Sequence, residues 1–138
     1  KSKNCFYLSQ KIMELFSFII NYVYQIYNKK NINPLIYKVV REIEENYNKE
    51  LSIDELAGIA CLSRTHFFNL FKENIGLTPI NYQKLLRINR ARDLLVSTSL
   101  PCKSIAEQVG YKNSPYFSRV FKEEVGIPAS EYRNKYRF

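Results

Sequence analysis

Phe121 to Gly126 reads FKEEVG, and Phe71 to Gly76, fifty positions earlier, reads FKENIG. The likeness spreads outward from this stretch. NSPYFSRVFKEEVG (113–126) matches SRTHFFNLFKENIG (63–76), and KSIAEQVG (103–110) matches IDELAGIAC (53–61). Phe117 then falls on Phe67, Val120 on Leu70, Lys122 on Lys72 and Tyr132 on Tyr82. The upstream parts align only if the second copy carries one extra residue in its turn, near Tyr111-Lys112. A helical solenoid needs about three or more copies to bury a core. Two copies with a long periodic segment between them describe a different object.

Each copy reads as a short helix, a turn of a few residues and a second short helix. Ser52, with Glu55 three residues on, forms a capping box. Ser63 is a second N-cap, and Gly76 suits the left-handed position that ends a helix. Thr78 followed by Pro79 opens the longest helix, about 79–96. Tyr82, Leu85, Leu86, Ile88, Leu94 and Leu95 are its expected apolar positions. Leu56, Ile59 and Ala60 are the expected inner face of the first short helix. Small or branched residues (Ala57, Ala60; Ala106, Val109) let the paired helices cross closely, which is the helix-turn-helix arrangement. Upstream, Ile36, Val39, Val40, Ile43 and Tyr47 mark one face of a further helix, whose Glu42–Glu45 cluster reads as solvated. Ser9 to Asn28 reads as an N-terminal connector helix with Ile12, Leu15, Phe16, Ile19, Val23, Ile26 and Tyr27 at helical spacing. NKKNINP (28–34) separates the two. No segment alternates with period two for long enough to be a strand. The expected fold is all-α: two helix-turn-helix subdomains, about 52–76 and 102–126, joined by a long linker helix. The division is 1–32 as connector or tail of an upstream domain, and 33–138 as the binding domain.

Composition narrows the function. Lys and Arg number 21 against 13 acidic residues, a net charge of +8, which points to a polyanionic partner. Cys5, Cys61 and Cys102 lack metal or disulfide spacing. No nucleophile with a base in reach is recognisable, so neither an enzyme, a metal nor a cofactor is expected. His66 has no partner at ligand spacing. The Phe16–Tyr27 stretch, broken by Ser17, Asn21 and Gln25, is too short and polar to span a bilayer. The chain starts without Met, as an internal fragment does, and a cytoplasmic, nucleoid-associated location is expected.

A helix held proud of the surface fits the major groove of B-DNA. With Phe67, Leu70 and Phe71 turned inward, the first copy presents Arg64, Thr65, Phe68, Asn69 and Lys72. With Phe117, Val120 and Phe121 inward, the second presents Ser114, Pro115, Ser118, Arg119 and Lys122. Arg119 suits a guanine edge, Asn69 an adenine edge and Phe68 a thymine methyl. Lys72 and Lys122, with Ser63 and Asn113 at the helix starts, are placed for phosphate. Arg87, Arg90 and Arg92 are expected either at DNA or paired with acidic residues between the halves. The rival reading is a protein-interaction module whose charge is incidental.

The pattern Ile105-Ala106-x-x-Val109-Gly110-Tyr111, Ser114-x-Tyr116-Phe117-Ser118-Arg119-Val120-Phe121-Lys122, Gly126-x-Pro128 and Tyr132-Arg133 resembles the AraC/XylS family of bacterial transcription regulators. Leu56-Ala57, Ser63, Phe67, Leu70-Phe71-Lys72, Gly76-x-Thr78-Pro79, Tyr82 and Arg90-Ala91-x-x-Leu94-Leu95 carry the same resemblance upstream. It implies a seven-helix DNA-binding domain that activates transcription, touches RNA polymerase and follows a ligand-sensing or dimerisation domain. A homodimer through the N-terminal helix is the matching expectation for residues 1–32. The resemblance assigns base reading to Arg64, Thr65, Phe68, Asn69, Ser114, Pro115, Ser118 and Arg119. The chain departs from the family pattern at Cys61, where glycine is frequent, and at Phe68, a poor hydrogen-bonding reader.

Overall fold

The computed structural model describes residues 31–137 and, before them, Ile12, Leu15, Phe16, Ile19, Ile20, Val23, Ile26 and Tyr27. Those eight residues are helical and exposed. The rest of the expected Ser9–Asn28 helix, its Ser9 cap included, lies outside the described residues. From Pro34 onward the described residues form seven helices and no strand: α1 (Pro34–Asn46), α2 (Ile53–Ile59), α3 (Arg64–Ile75), α4 (Pro79–Ser97), α5 (Cys102–Gln108), α6 (Ser114–Val125) and α7 (Ala129–Tyr136).

Local chemistry sets the helix ends. The Ser52 hydroxyl accepts from Glu55 N–H while the Glu55 carboxylate accepts from Ser52 N–H, closing the capping box. Ser63 and Thr78 cap α3 and α4 by accepting from the N–H of His66 and Asn81. Pro79 stands in the first turn of α4, where a missing N–H is harmless. Gly76 and Gly126 end α3 and α6 in the left-handed conformation, at φ 82° and 91°. The turn between α2 and α3 spans residues 60–63 and that between α5 and α6 spans 109–113, so the second is one residue longer.

Two cores form rather than one. Ile36, Val39, Val40, Ile43, Leu56, Ala57, Ala60, Phe67, Phe71 and Tyr82 make the first. Ile88, Ala91, Leu94, Leu95, Ile105, Ala106, Val109, Tyr111, Phe117, Val120, Phe121 and Ala129 make the second. The same aromatic row runs through both. Phe67, Phe71 and Tyr82 meet as tilted or edge-on rings with centroids 5.8 and 5.9 Å apart, and Phe117, Phe121 and Tyr132 with 5.8 and 5.7 Å. Such pairs add about 0.5–1.5 kcal/mol each beyond the area they bury.

Helix α4 belongs to both cores. Its first half supplies Tyr82 and, at the edge, Leu86; its second half supplies Ile88, Ala91, Leu94 and Leu95. The repeat is therefore four helices long, α1–α4 and α4–α7, with α4 closing one copy and opening the next. At about 1.5 Å per residue, its 19 residues span about 28 Å.

Two apolar positions differ from the sequence expectation. Ile59 is 40 % exposed and Leu85 39 % exposed, whereas Ala57, as expected at the crossing, and Ala91 are buried. Close helix crossings select the small residues and leave the larger ones at the rim. The Glu42–Glu45 face is likewise only partly solvated: Glu44 is half-buried and accepts a 3.0 Å hydrogen bond from the Tyr82 hydroxyl. Burial, and then the Glu44 charge, raise the Tyr82 pKa.

Candidate nucleic-acid interface

Helix α3 buries Phe67 and Phe71, and α6 buries Phe117, Val120 and Phe121. These anchors determine which residues face outward. Arg64, Thr65 and Asn69 are exposed on α3, and Phe68 is half-buried beside them. On α6, Pro115, Ser118 and Arg119 are exposed and Ser114 is half-buried at the first position. Lys72 and Lys122 are exposed one turn further on. Ser63 and Asn113 are exposed too, but their side-chain oxygens already accept from His66 N–H at 3.3 Å and Tyr116 N–H at 2.9 Å as helix caps.

Arg64, Thr65, Phe68 and Asn69, together with Ile53 and Ile80, line a hollow of about 380 Å³. A second cleft, about 340 Å³, runs from Ile80 along Gln83, Lys84 and Arg87 to Asn113 and Tyr116 at the start of α6. Ile80 borders both and is 61 % exposed. The first turn of α4 thus borders both hollows. Neither Ile53 nor Ile80 was singled out by the sequence. Both lie at helix starts, where periodicity carries little information about facing.

The two arginines expected to meet bases are held differently. Arg64 makes a 3.5 Å ion pair with Asp54 of α2, and both side chains are well exposed. Such pairs contribute about 0–1 kcal/mol and open easily. Arg119 lies over the Tyr116 ring at 5.2 Å, a contact that does not neutralise its charge. His66 is exposed. Cys61 is exposed rather than packed, and sits at φ 55°, the left-handed conformation that its counterpart Gly110 adopts at φ 102°.

A family profile for a helix-turn-helix domain matches residues 56–135, from α2 through α7. The solved structure of a transcriptional regulator with an AraC-type DNA-binding domain from Chromobacterium violaceum superposes with TM-score 0.68. It is 33 % identical, over 74 % of this chain and 91 % of that one. The chain belongs to the AraC family. Another structure similar to this AraC-type domain is the C-terminal domain of AraT, a response regulator from Geobacillus stearothermophilus. It has TM-score 0.74 and 28 % identity, covering 78 % of this chain and 89 % of that chain. Among curated relatives, the lactose operon transcription activator of Staphylococcus xylosus is 36 % identical over 105 residues, 76 % of this chain and 38 % of its own length. The chain spans between 32 % and 51 % of the first three such relatives. As in other AraC-type domains, all the described elements are helical, and two helix-turn-helix units share a linker helix.

Proposed function

We propose that this AraC-family chain binds double-stranded DNA through two successive major-groove segments, with α3 and α6 as the reading helices, as the DNA-binding part of a transcription activator. The observation that carries the reading is the doubled unit. The same aromatic row anchors two helices whose outward faces are mostly polar, and hollows lined by residues of each helix meet at Ile80. Arg64, Thr65, Phe68 and Asn69, and Ser114, Pro115, Ser118 and Arg119, are the proposed base readers. Lys72, Lys122, Ser63 and Asn113 are the proposed phosphate contacts. Since the Asn113 oxygen and a Ser63 lone pair are used as caps, these two residues would meet phosphate through their remaining donors. No catalytic step belongs to this reading.

Residues 33–138 are the proposed binding domain, and residues 1–32 the connector to a ligand-sensing domain. Ile12, Phe16, Ile19, Val23 and Ile26 recur at alternating steps of four and three and are all exposed, which supports a homodimer through this segment. Contact with RNA polymerase and a cytoplasmic, nucleoid-associated location complete the proposal. Among the described residues no helix is long and apolar enough to cross a membrane.

Selection from a random DNA pool followed by footprinting tests the reading. Two protected segments are expected, their centres about one helical turn apart, near 34 Å. Binding should fall steeply as salt rises, because several phosphate contacts release counterions. A single short protected segment at saturating protein would reject the two-groove reading, and weak salt dependence would favour a protein-binding module.

A further inference from the structure

Helix α1 ends without a basic residue in its last turn. The carbonyls of its C-cap Tyr47 and of Lys49, just beyond it, are served from α4. Tyr47 O accepts from Gln83 Nε2 at 2.9 Å and from Arg87 Nε at 2.6 Å. Lys49 O accepts from Gln83 Nε2 at 2.7 Å and from Arg87 Nη2 at 3.0 Å. Two side chains one turn apart on α4 thus grip the same two carbonyls, and the Arg87 charge lies where a helix C-terminus favours a cation.

The copy downstream carries a related but different tie fifty positions on. Arg133 and Arg137 occupy the places of Gln83 and Arg87. Arg133 donates to Leu95 O at 3.0 Å and Leu100 O at 2.5 Å, and Arg137 donates to Ser99 Oγ at 2.6 Å. In each copy the last helix ties down the C-terminal end of the first helix.

Only the upstream grip lies between two reading units. The Arg87 guanidinium also sits over the ring of Tyr111, at 5.2 Å, and Tyr111 is part of the second core. The gripped segment itself leans on the second copy. Asn48 abuts Gly110 so closely that a Cβ there would lie 2.6 Å from its carbonyl oxygen. Glu50 pairs with Lys112 at 2.8 Å, and Tyr47 packs against the second core. One bend of α4 or one roll of the second unit would break several of these contacts together.

We infer that Gln83 and Arg87, clamping the Tyr47–Glu50 segment between the two units, fix the phase of α6 relative to α3, so that Arg87 determines which spacing of DNA segments the protein accepts. The inference rests on the two-groove reading. Arg87 is a positioning residue here: it acts through Tyr111 and the Tyr47–Glu50 segment. One added base pair shifts the second segment by about 3.4 Å and turns it by about 34°. A rigid pair of readers cannot follow that change, whereas a loosened pair can.

The test uses the duplex selected by the wild-type protein and the same duplex with one base pair inserted between its two segments. Wild type should bind the inserted duplex at least about tenfold more weakly, the loss of one or more base contacts. Arg87→Ala should bind the parent duplex somewhat more weakly, and its penalty for the insertion should shrink to about threefold or less. Gln83→Ala should shift the same ratio in the same direction, and carries the test if Arg87→Ala no longer unfolds cooperatively. A folded variant that loses affinity equally on both duplexes, or keeps the full wild-type penalty, overturns the clamp and leaves two-groove binding intact. A wild-type protein indifferent to the insertion overturns the clamp, and a single footprinted segment on the parent duplex overturns the two-groove reading with it.

Discussion

The two copies share a plan and differ in how tightly each is finished. The first has a closed capping box at Ser52, whereas α5 starts after Pro101 with no side-chain cap. At the turn the order reverses. The second copy has Gly110 at φ 102° with Asn48 pressed against it, while the first forces Cys61 into φ 55° with its side chain exposed. A non-glycine residue in that conformation costs about 1–2 kcal/mol. The first copy can carry a side chain there because its turn leaves Cys61 exposed. The second cannot, because its turn is where the two units meet. The same backbone requirement therefore has a local cause in one copy and an added steric cause in the other.

The largest expected effect tests whether the copies are separate cores. Phe71→Ala and Phe121→Ala should each cost about 3–5 kcal/mol. Hydrogen exchange should show the loss mainly in α1–α3 for the first and α5–α7 for the second. Equal loss of protection throughout would show that α4 fuses them into one cooperative unit.

At the turns, Gly110→Ala should destabilise by about 1–3 kcal/mol, since both the added Cβ and the positive φ oppose it. Cys61→Gly should instead stabilise, by up to about 1 kcal/mol. Denaturant titration compares the two, and effects of the same sign would remove the distinction drawn between the turns.

At the reading faces, Arg119→Ala should weaken binding to the selected site by about 1–3 kcal/mol and relax preference at one base pair. Arg64→Ala should cost less, because Arg64 must first leave Asp54. Gel shifts on specific and random duplexes separate the cases. Equal losses on both duplexes would reduce Arg119 to a phosphate contact.

The smallest effect concerns pH. The folded pKa of Tyr82 is raised, so its contribution is fully present below the ordinary tyrosine value of about 10 and is lost as pH rises beyond it. Tyr82→Phe should cost about 1 kcal/mol at neutral pH, the worth of one hydrogen bond, and should flatten the alkaline loss of stability. An unchanged alkaline profile would assign that loss to other groups.

Much of this fold is legible in the sequence because its signals are local. Ser52 with Glu55, Ser63, Thr78 with Pro79, and Gly76 each mark an end by chemistry within a few residues. The doubled Phe-x-x-x-Phe spacing marks the anchored face of α3 and α6. Ile59 and Leu85 were misread because helical period alone cannot tell a close crossing, which admits alanine, from an open one. The Gln83–Arg87 grip was invisible for a different reason. Arginines between two halves suggest acidic partners, but here the partners are backbone carbonyls, which every residue carries and no sequence pattern marks. The Asp54–Arg64 pair joins two helices across a turn whose geometry periodicity does not supply.

Because α4 completes one copy and begins the other, the duplication cannot be undone by cutting the chain in two. A truncation that retains either reading helix alone must also keep Pro79–Ser97, and half of that helix then faces water with no neighbour to cover it. Removing α5–α7 bares Ile88, Ala91, Leu94 and Leu95, whereas removing α1–α3 bares Tyr82 and Leu86. The exposed stripe is larger in the first case. An isolated upstream half should therefore aggregate sooner than an isolated downstream half.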